Sequence, residues 1–141
     1  MKVKCLIENI DPVIHNKKLV EWSNNSELEI TQGKIYTVIA ISKYSDILFY
    51  NIIGDESGNY PLAFPVDLFE IIDNRVSKYW NVLIEKIGDI TELELQNNDV
   101  ISFNEWTLKK DCFYENLLEQ EKHEISVFKN YKDKMFFEFQ T

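Results

Sequence analysis

Ile35-Tyr36-Thr37-Val38-Ile39-Ala40-Ile41, Ile47-Leu48-Phe49-Tyr50-Asn51-Ile52-Ile53 and Tyr60-Pro61-Leu62-Ala63-Phe64 are three apolar runs separated by short polar punctuation. β-Branched and aromatic side chains dominate them, and these suit a pleated, half-buried surface better than a helix. Ser45-Asp46 turns the chain between the first two runs, which are therefore expected to pair as adjacent antiparallel strands. Gly54-Asp55-Glu56-Ser57-Gly58-Asn59 brackets acidic turn formers between glycines and reads as a hairpin tip. Before the first run, Gln32-Gly33-Lys34 reads as a turn, with Gly33 supplying a conformation that other residues resist.

Outward from these runs, Val3 to Ile7 reads as a strand, Asp11-Pro12 as the cap of a short turn and Ser23 to Ser26 as a loop. Pro65-Val66-Asp67-Leu68-Phe69 predicts one tight turn before a last strand, Glu70 to Asp73. Asn74-Arg75-Val76-Ser77 has no apolar period and divides a β-rich region, 1–74, from a second region, 75–141, the two packing as one unit. In the second region Tyr79 to Ile84 and Ile90 to Leu95 read as a hairpin turning at Gly88-Asp89. Ser102-Phe103-Asn104-Glu105 fits a capping box, with Ser102 as N-cap and Ile101 and Trp106 at the hydrophobic-staple positions. Cys112, Phe113, Leu117 and Leu118 continue at helical spacing. From Gln120 onward Ile125, Phe128, Met135 and Phe139 form the stripe of a long amphipathic helix. The expected fold is α+β, an antiparallel β-barrel or curled sheet followed by a β-hairpin and C-terminal helices.

The composition narrows function. Forty-five per cent of the 141 residues are hydrophobic, with 3 Trp, 7 Tyr and 9 Phe, so the chain can bury a core and is not intrinsically disordered. Acidic residues outnumber basic ones 24 to 15, the net charge is −9, and Arg75 is the sole arginine. Both regions are acidic, which disfavours nucleic acid, whose binders need a basic stripe rich in bidentate arginines. No apolar run precedes Glu8, unlike a signal peptide, and the uncharged stretch from Ile35 to Ser42 is too short to span a bilayer. Cys5 and Cys112 each sit among apolar neighbours and are expected to be buried thiols of a cytoplasmic protein.

No pattern calls for a cofactor or a metal. His15 and His123 lack ligands at metal spacing, no Cys-x-x-Cys occurs, and Asp55 to Asn59 lacks the alternating ligands of a calcium loop. Gly33-Lys34 stands without the spacing of a phosphate loop. Cys112 and His123 do not make a nucleophile–base pair on helical sequence, and paired acids such as Glu92 and Glu94 are solvated-face patterns. The expectation is a protein that is not an enzyme. The aromatic pair Tyr79-Trp80 and the tail Met135-Phe136-Phe137-Glu138-Phe139 point to helix packing, or to an interaction surface that could serve a homodimer. Phe136 and Phe137 cannot both face one core. Asp55, Glu56, Tyr79, Trp80, Glu119, Glu121 and Glu124 are the candidate partner contacts, the acids steering a basic protein toward the chain.

Thr31 to Val38, Tyr50 to Asp55 and Pro65 to Glu70 resemble the SH3-like small β-barrels of bacterial and phage proteins, over about half the chain. In that architecture a tight turn near a proline precedes the closing strand; the motifs are structural and carry over no ligand residues. As a whole the chain is similar to small acidic bacterial proteins of immunity type, which neutralise a cognate toxin by binding it. That resemblance implies a basic protein partner inhibited by occlusion. The alternative is a phage or bacterial accessory protein that binds a peptide or subunit through its barrel.

Overall fold

The computed structural model describes residues 1–7, 20–22, 30–55, 60–82, 86–88 and 95–139. Within them the chain is a mixed α+β fold of two antiparallel sheets followed by helices. The strands are β1 (Lys2–Cys5), β2 (Ile35–Thr37), β3 (Ala40–Tyr44), β4 (Ile47–Ile52), β5 (Leu62–Pro65), β6 (Phe69–Asp73) and β7 (Val100–Ile101). A single 3-10 turn, Val66–Leu68, leads from β5 into β6, as the Pro65 pattern predicts. Helices α1 (Asn104–Lys109), α2 (Asp111–Leu118) and α3 (Lys122–Glu138) follow β7.

The first apolar run does not stay in one strand. Its front half, β2, pairs with β1, while its back half begins β3 and pairs with β4. Val38 and Ile39 lie between, and their N–H groups donate to Met1 O at 3.0 Å and Asn51 O at 2.8 Å. The crossing therefore loses no backbone hydrogen bond at these two donors while the chain moves from one sheet to the other. The sheet orders are β2-β1-β6 and β5-β4-β3-β7. Among the described residues neither closes on itself, so the β-rich region expected as a barrel or curled sheet over residues 1–74 is two antiparallel sheets without a closed barrel.

The expected pairing of the first and second runs holds for their facing ends, from Ala40 opposite Asn51 to Tyr44 opposite Ile47. Ser45 and Asp46 have φ of 50° and 63°, and two positive values in a two-residue loop give the twist that strands in a hairpin require. Gly33, with φ of 86°, makes the turn expected of it, and its N–H donates to Cys5 O at 2.7 Å. β4 and β5 pair from Phe49 opposite Pro65 to Ile52 opposite Leu62, while residues 56–59 of the tip lie outside the described residues. So do Asp11-Pro12, Ser23 to Ser26 and much of the second hairpin, including 83–85 and 89–94.

The two sheets meet around aromatic edges. Tyr36 and Tyr50 each present a T-shaped contact to Phe69, at 6.4 and 5.7 Å between centroids. One buried cluster runs from Met1, Val3 and Cys5 through Ile41, Ile52 and Phe64 to Phe103, Phe113, Leu117, Phe128 and Met135, so both regions share a core.

Several expectations for the second region are corrected. Tyr79 begins no regular strand, since Trp80 makes an isolated bridge to Phe103 and the neighbouring described residues form turns. Ser102 is not an N-cap. Helix α1 starts after Phe103, which supplies no side-chain cap, and Ser102 is fully buried with its Oγ donating to Ile39 O at 2.8 Å. That bond fastens the entry to the helices onto the crossing between the sheets. Ser102→Ala would leave a buried carbonyl without this donor and is expected to cost about 1–3 kcal/mol, read as a lower urea midpoint at unchanged slope. Cys5 is buried as expected, but Cys112 is exposed, because α2 turns Phe113 and Leu117 inward instead. The long helix starts at Lys122, with Phe128 and Met135 buried on its stripe, while both Phe136 and Phe137 are exposed near its end.

Candidate functional site

The charged and aromatic residues expected to meet a partner fall in unlike environments. Asp55 is engaged by its own chain. Its carboxylate accepts hydrogen bonds from Thr31 Oγ1, from Lys34 Nζ at 2.7 Å and from the Tyr36 hydroxyl at 2.9 Å. Desolvation works to raise its pKa, but these donors outweigh it and hold the carboxyl below the usual value. Tyr36, desolvated and facing that carboxylate, is pushed up to about 12. Asp55 is thus an anchor between the 31–36 segment and the end of β4, and Glu56 lies outside the described residues.

Trp80 is 4% exposed and belongs to the core, where its bridge to Phe103 holds it, so in the free chain it offers no contact surface. Tyr79 is half-buried, edge-on to Tyr131 at 6.3 Å, with Lys78 Nζ and Lys134 Nζ at 5.2 and 5.6 Å from its ring centre. Glu124 is 7% exposed because the first turn of α3 faces inward there, and it offers a partner little contact surface. Glu119 and Glu121 are exposed at the corner between α2 and α3. The candidates therefore do not assemble into one acidic face, and Glu119 with Glu121 is the pair left accessible among those described.

A second region gathers more chemistry. Strand pairing places Ser42 opposite Phe49, and Asn51 opposite both Ala40 and Ala63. Since alternate residues share a face, Ser42, Phe49, Asn51 and Ala63 lie on one side of the second sheet, with Ile41, Tyr50, Ile52 and Phe64 on the other. The latter side is core. The former is roofed by α1 and α2, through Trp106 and Tyr114, and flanked by Trp22, leaving a cavity of about 360 Å³. Trp106 and Tyr114 stack at 5.5 Å, and the Tyr114 hydroxyl donates to Pro61 O at 2.7 Å, which pins α2 over the β4–β5 end. Burial pushes the Tyr114 phenol up to about 12. At the mouth Lys110 Nζ pairs with Asp99 at 3.2 Å, and Lys43 Nζ donates to Leu95 O at 3.1 Å.

Sequence reading did not find this cavity, because its walls come from β3, β4, β5, α1, α2 and the 20–22 segment. One signal was present. Ser42 closes the first apolar run and Asn51 is a polar position inside the second, and the register makes them neighbours: Ser42 Oγ donates to Asn51 Oδ1 at 2.8 Å.

Among the described residues no group of three or more His, Cys, Asp or Glu is placed to hold a metal ion, and no helix is long and apolar enough to cross a membrane. Compared with known proteins, the chain matches no family model, no curated sequence and no solved structure.

Proposed function

We propose that this chain is a non-catalytic protein-binding module whose acidic surface captures a basic protein partner, with neutralisation of a toxin by occlusion as the form its resemblance to immunity-type proteins implies. The observation that carries the reading is the α2–α3 corner. Leu118 is 41% exposed there beside exposed Glu119, Gln120 and Glu121, and neither glutamate enters an ion pair among the described residues. An apolar knob flanked by two available carboxylates suits a partner surface that is apolar at its centre and basic at its rim. The net charge of −9 extends the attraction beyond contact.

The finer architecture we read as SH3-like. Support comes from β1 pairing with β6, the β3-β4-β5 meander and the 3-10 turn leading into β6. That order favours the second reading, an accessory protein that uses its β half to hold a peptide or subunit.

Co-purification from the source cell, followed by association kinetics across ionic strength, tests the first reading. The double variant Glu119→Lys/Glu121→Lys is expected to associate roughly ten times more slowly at low salt, with little loss of stability because exposed charges contribute little to folding. The difference should shrink as salt rises and the screening length falls. A neutral or acidic partner whose association ignores salt overturns the electrostatic reading. So does a partner that proves to be a second copy, since two acidic chains repel at distance.

A further inference from the structure

We propose that the cavity between the second sheet and helices α1 and α2 binds a small, uncharged, planar aromatic molecule that carries one hydrogen-bond acceptor. This site is separate from the α2–α3 corner and does not depend on the protein-binding reading. Its volume of about 360 Å³ lies in the range of small-molecule sites, which bury most of a ligand's surface. Trp22, Phe49, Trp106 and Tyr114 present aromatic surface to it, and an aromatic ligand gains edge-on or offset ring contacts there beyond its apolar area.

The floor supplies the polar specificity. Asn51 is 3% exposed, and its Oδ1 accepts from Ser42 Oγ at 2.8 Å, which orients the amide. The amide nitrogen then has no acceptor among the described residues. Asn51 lines the cavity, so a ligand carbonyl or ring nitrogen can accept from this donor in place of water. The charges at the mouth balance and so favour no ion of either sign: Lys110 pairs with Asp99 at 3.2 Å, and Lys43, which keeps its charge while donating to Leu95 O, is offset by Asp111.

The test uses benzamide, which combines a ring with a carbonyl, and toluene, which has the ring alone. Both are titrated into the ¹⁵N-labelled full chain while the Asn51 side-chain NH₂ pair and the Val100 amide are followed by NMR. Benzamide is expected to shift both saturably in the millimolar range and to bind about fivefold more tightly than toluene, the ratio one ordinary hydrogen bond supplies. Asn51→Leu should equalise the two probes while leaving a cooperative melt. Should that variant fail to fold, Ala63→Leu fills the cavity from β5 and should abolish binding of both. The proposal is overturned if benzamide produces no saturable shift in the unmodified chain, or if the two probes bind it equally. It is overturned too if Ala63→Leu binds both as before, or if a hexapeptide with one central phenylalanine binds more tightly than benzamide.

Discussion

Phe103→Ala should remove about 3–5 kcal/mol of stability, a large share of the roughly 5–15 kcal/mol that holds a domain together. Phe103 is fully buried, and three helices and Trp80 meet on its ring and backbone. Its face stacks on Tyr131 of α3 at 4.4 Å and 3°, and its ring meets Phe113 of α2 edge-on at 5.5 Å. Trp106 of α1 lies at 6.0 Å, and the backbone bridges to Trp80. Truncation to alanine empties a site that rigid neighbours from three helices cannot all collapse into, so a cavity term adds to the lost transfer energy. Urea denaturation followed by tryptophan fluorescence and by circular dichroism reads the effect. Phe103→Leu, which keeps most of the volume, should lose much less. A loss below 1 kcal/mol for alanine would show that the ring is not packed between these helices.

Alkaline pH should unfold the protein as its buried tyrosines are forced to ionise. Burial raises the phenols of Tyr36 and Tyr114 to about 12 and pushes Tyr50 higher still, the first also facing Asp55 and the last Asp67. A phenol titrates near 10 in an unfolded chain. Because the folded value is raised, each tyrosine contributes stability that is complete below pH 10 and is lost as pH climbs toward 12 and beyond. For Tyr114, held between α2 and the β5 end, the loss amounts to roughly 3 kcal/mol at the top of that window. Absorbance at 295 nm should therefore show Tyr36, Tyr50 and Tyr114 ionising only in step with the loss of near-ultraviolet dichroism. If these three titrate near 10 with the fold intact, their burial is wrong. At the acid end the sign reverses. Hydrogen bonds from Arg75 hold Asp73 down to about 2, so its contribution is present above pH 4 and fades as pH falls toward 2.

Strand identity was legible in the β half because its signals are local. The two-residue turn at Ser45-Asp46, the left-handed turn at Gly33 and the single turn after Pro65 each follow from a few neighbouring residues. The division of Ile35 to Ile41 between two sheets was not legible. An unbroken β-branched run looks the same whether it feeds one sheet or two, and the choice depends on Met1 and Asn51 meeting Val38 and Ile39. Ser102 misled for a related reason: a capping box is a local pattern, and the hydroxyl instead serves a carbonyl 63 positions away. The partner candidates suffered most, since acidity and aromaticity are visible in sequence whereas exposure is not. Trp80 and Glu124 went inward, and Asp55 found three donors of its own. The cavity was invisible apart from Ser42 and Asn51, because its remaining walls are remote in the chain.

The order in which the sheets can be completed has a consequence for synthesis. β3, β4 and β5 are joined by short connections and can form a meander as soon as Pro65 has emerged. β1, though made first, has β6 as one of its two neighbours, so one of its edges waits until Asp73 leaves the ribosome. The outer edge of β3 waits longer, until Val100 and Ile101 arrive to cover it. During that interval the nascent chain displays open strand edges beside apolar faces, the feature that invites pairing between chains. Slower elongation across residues 74–99, or a chaperone that shelters the β3 edge, would therefore govern how much of this protein a cell recovers folded.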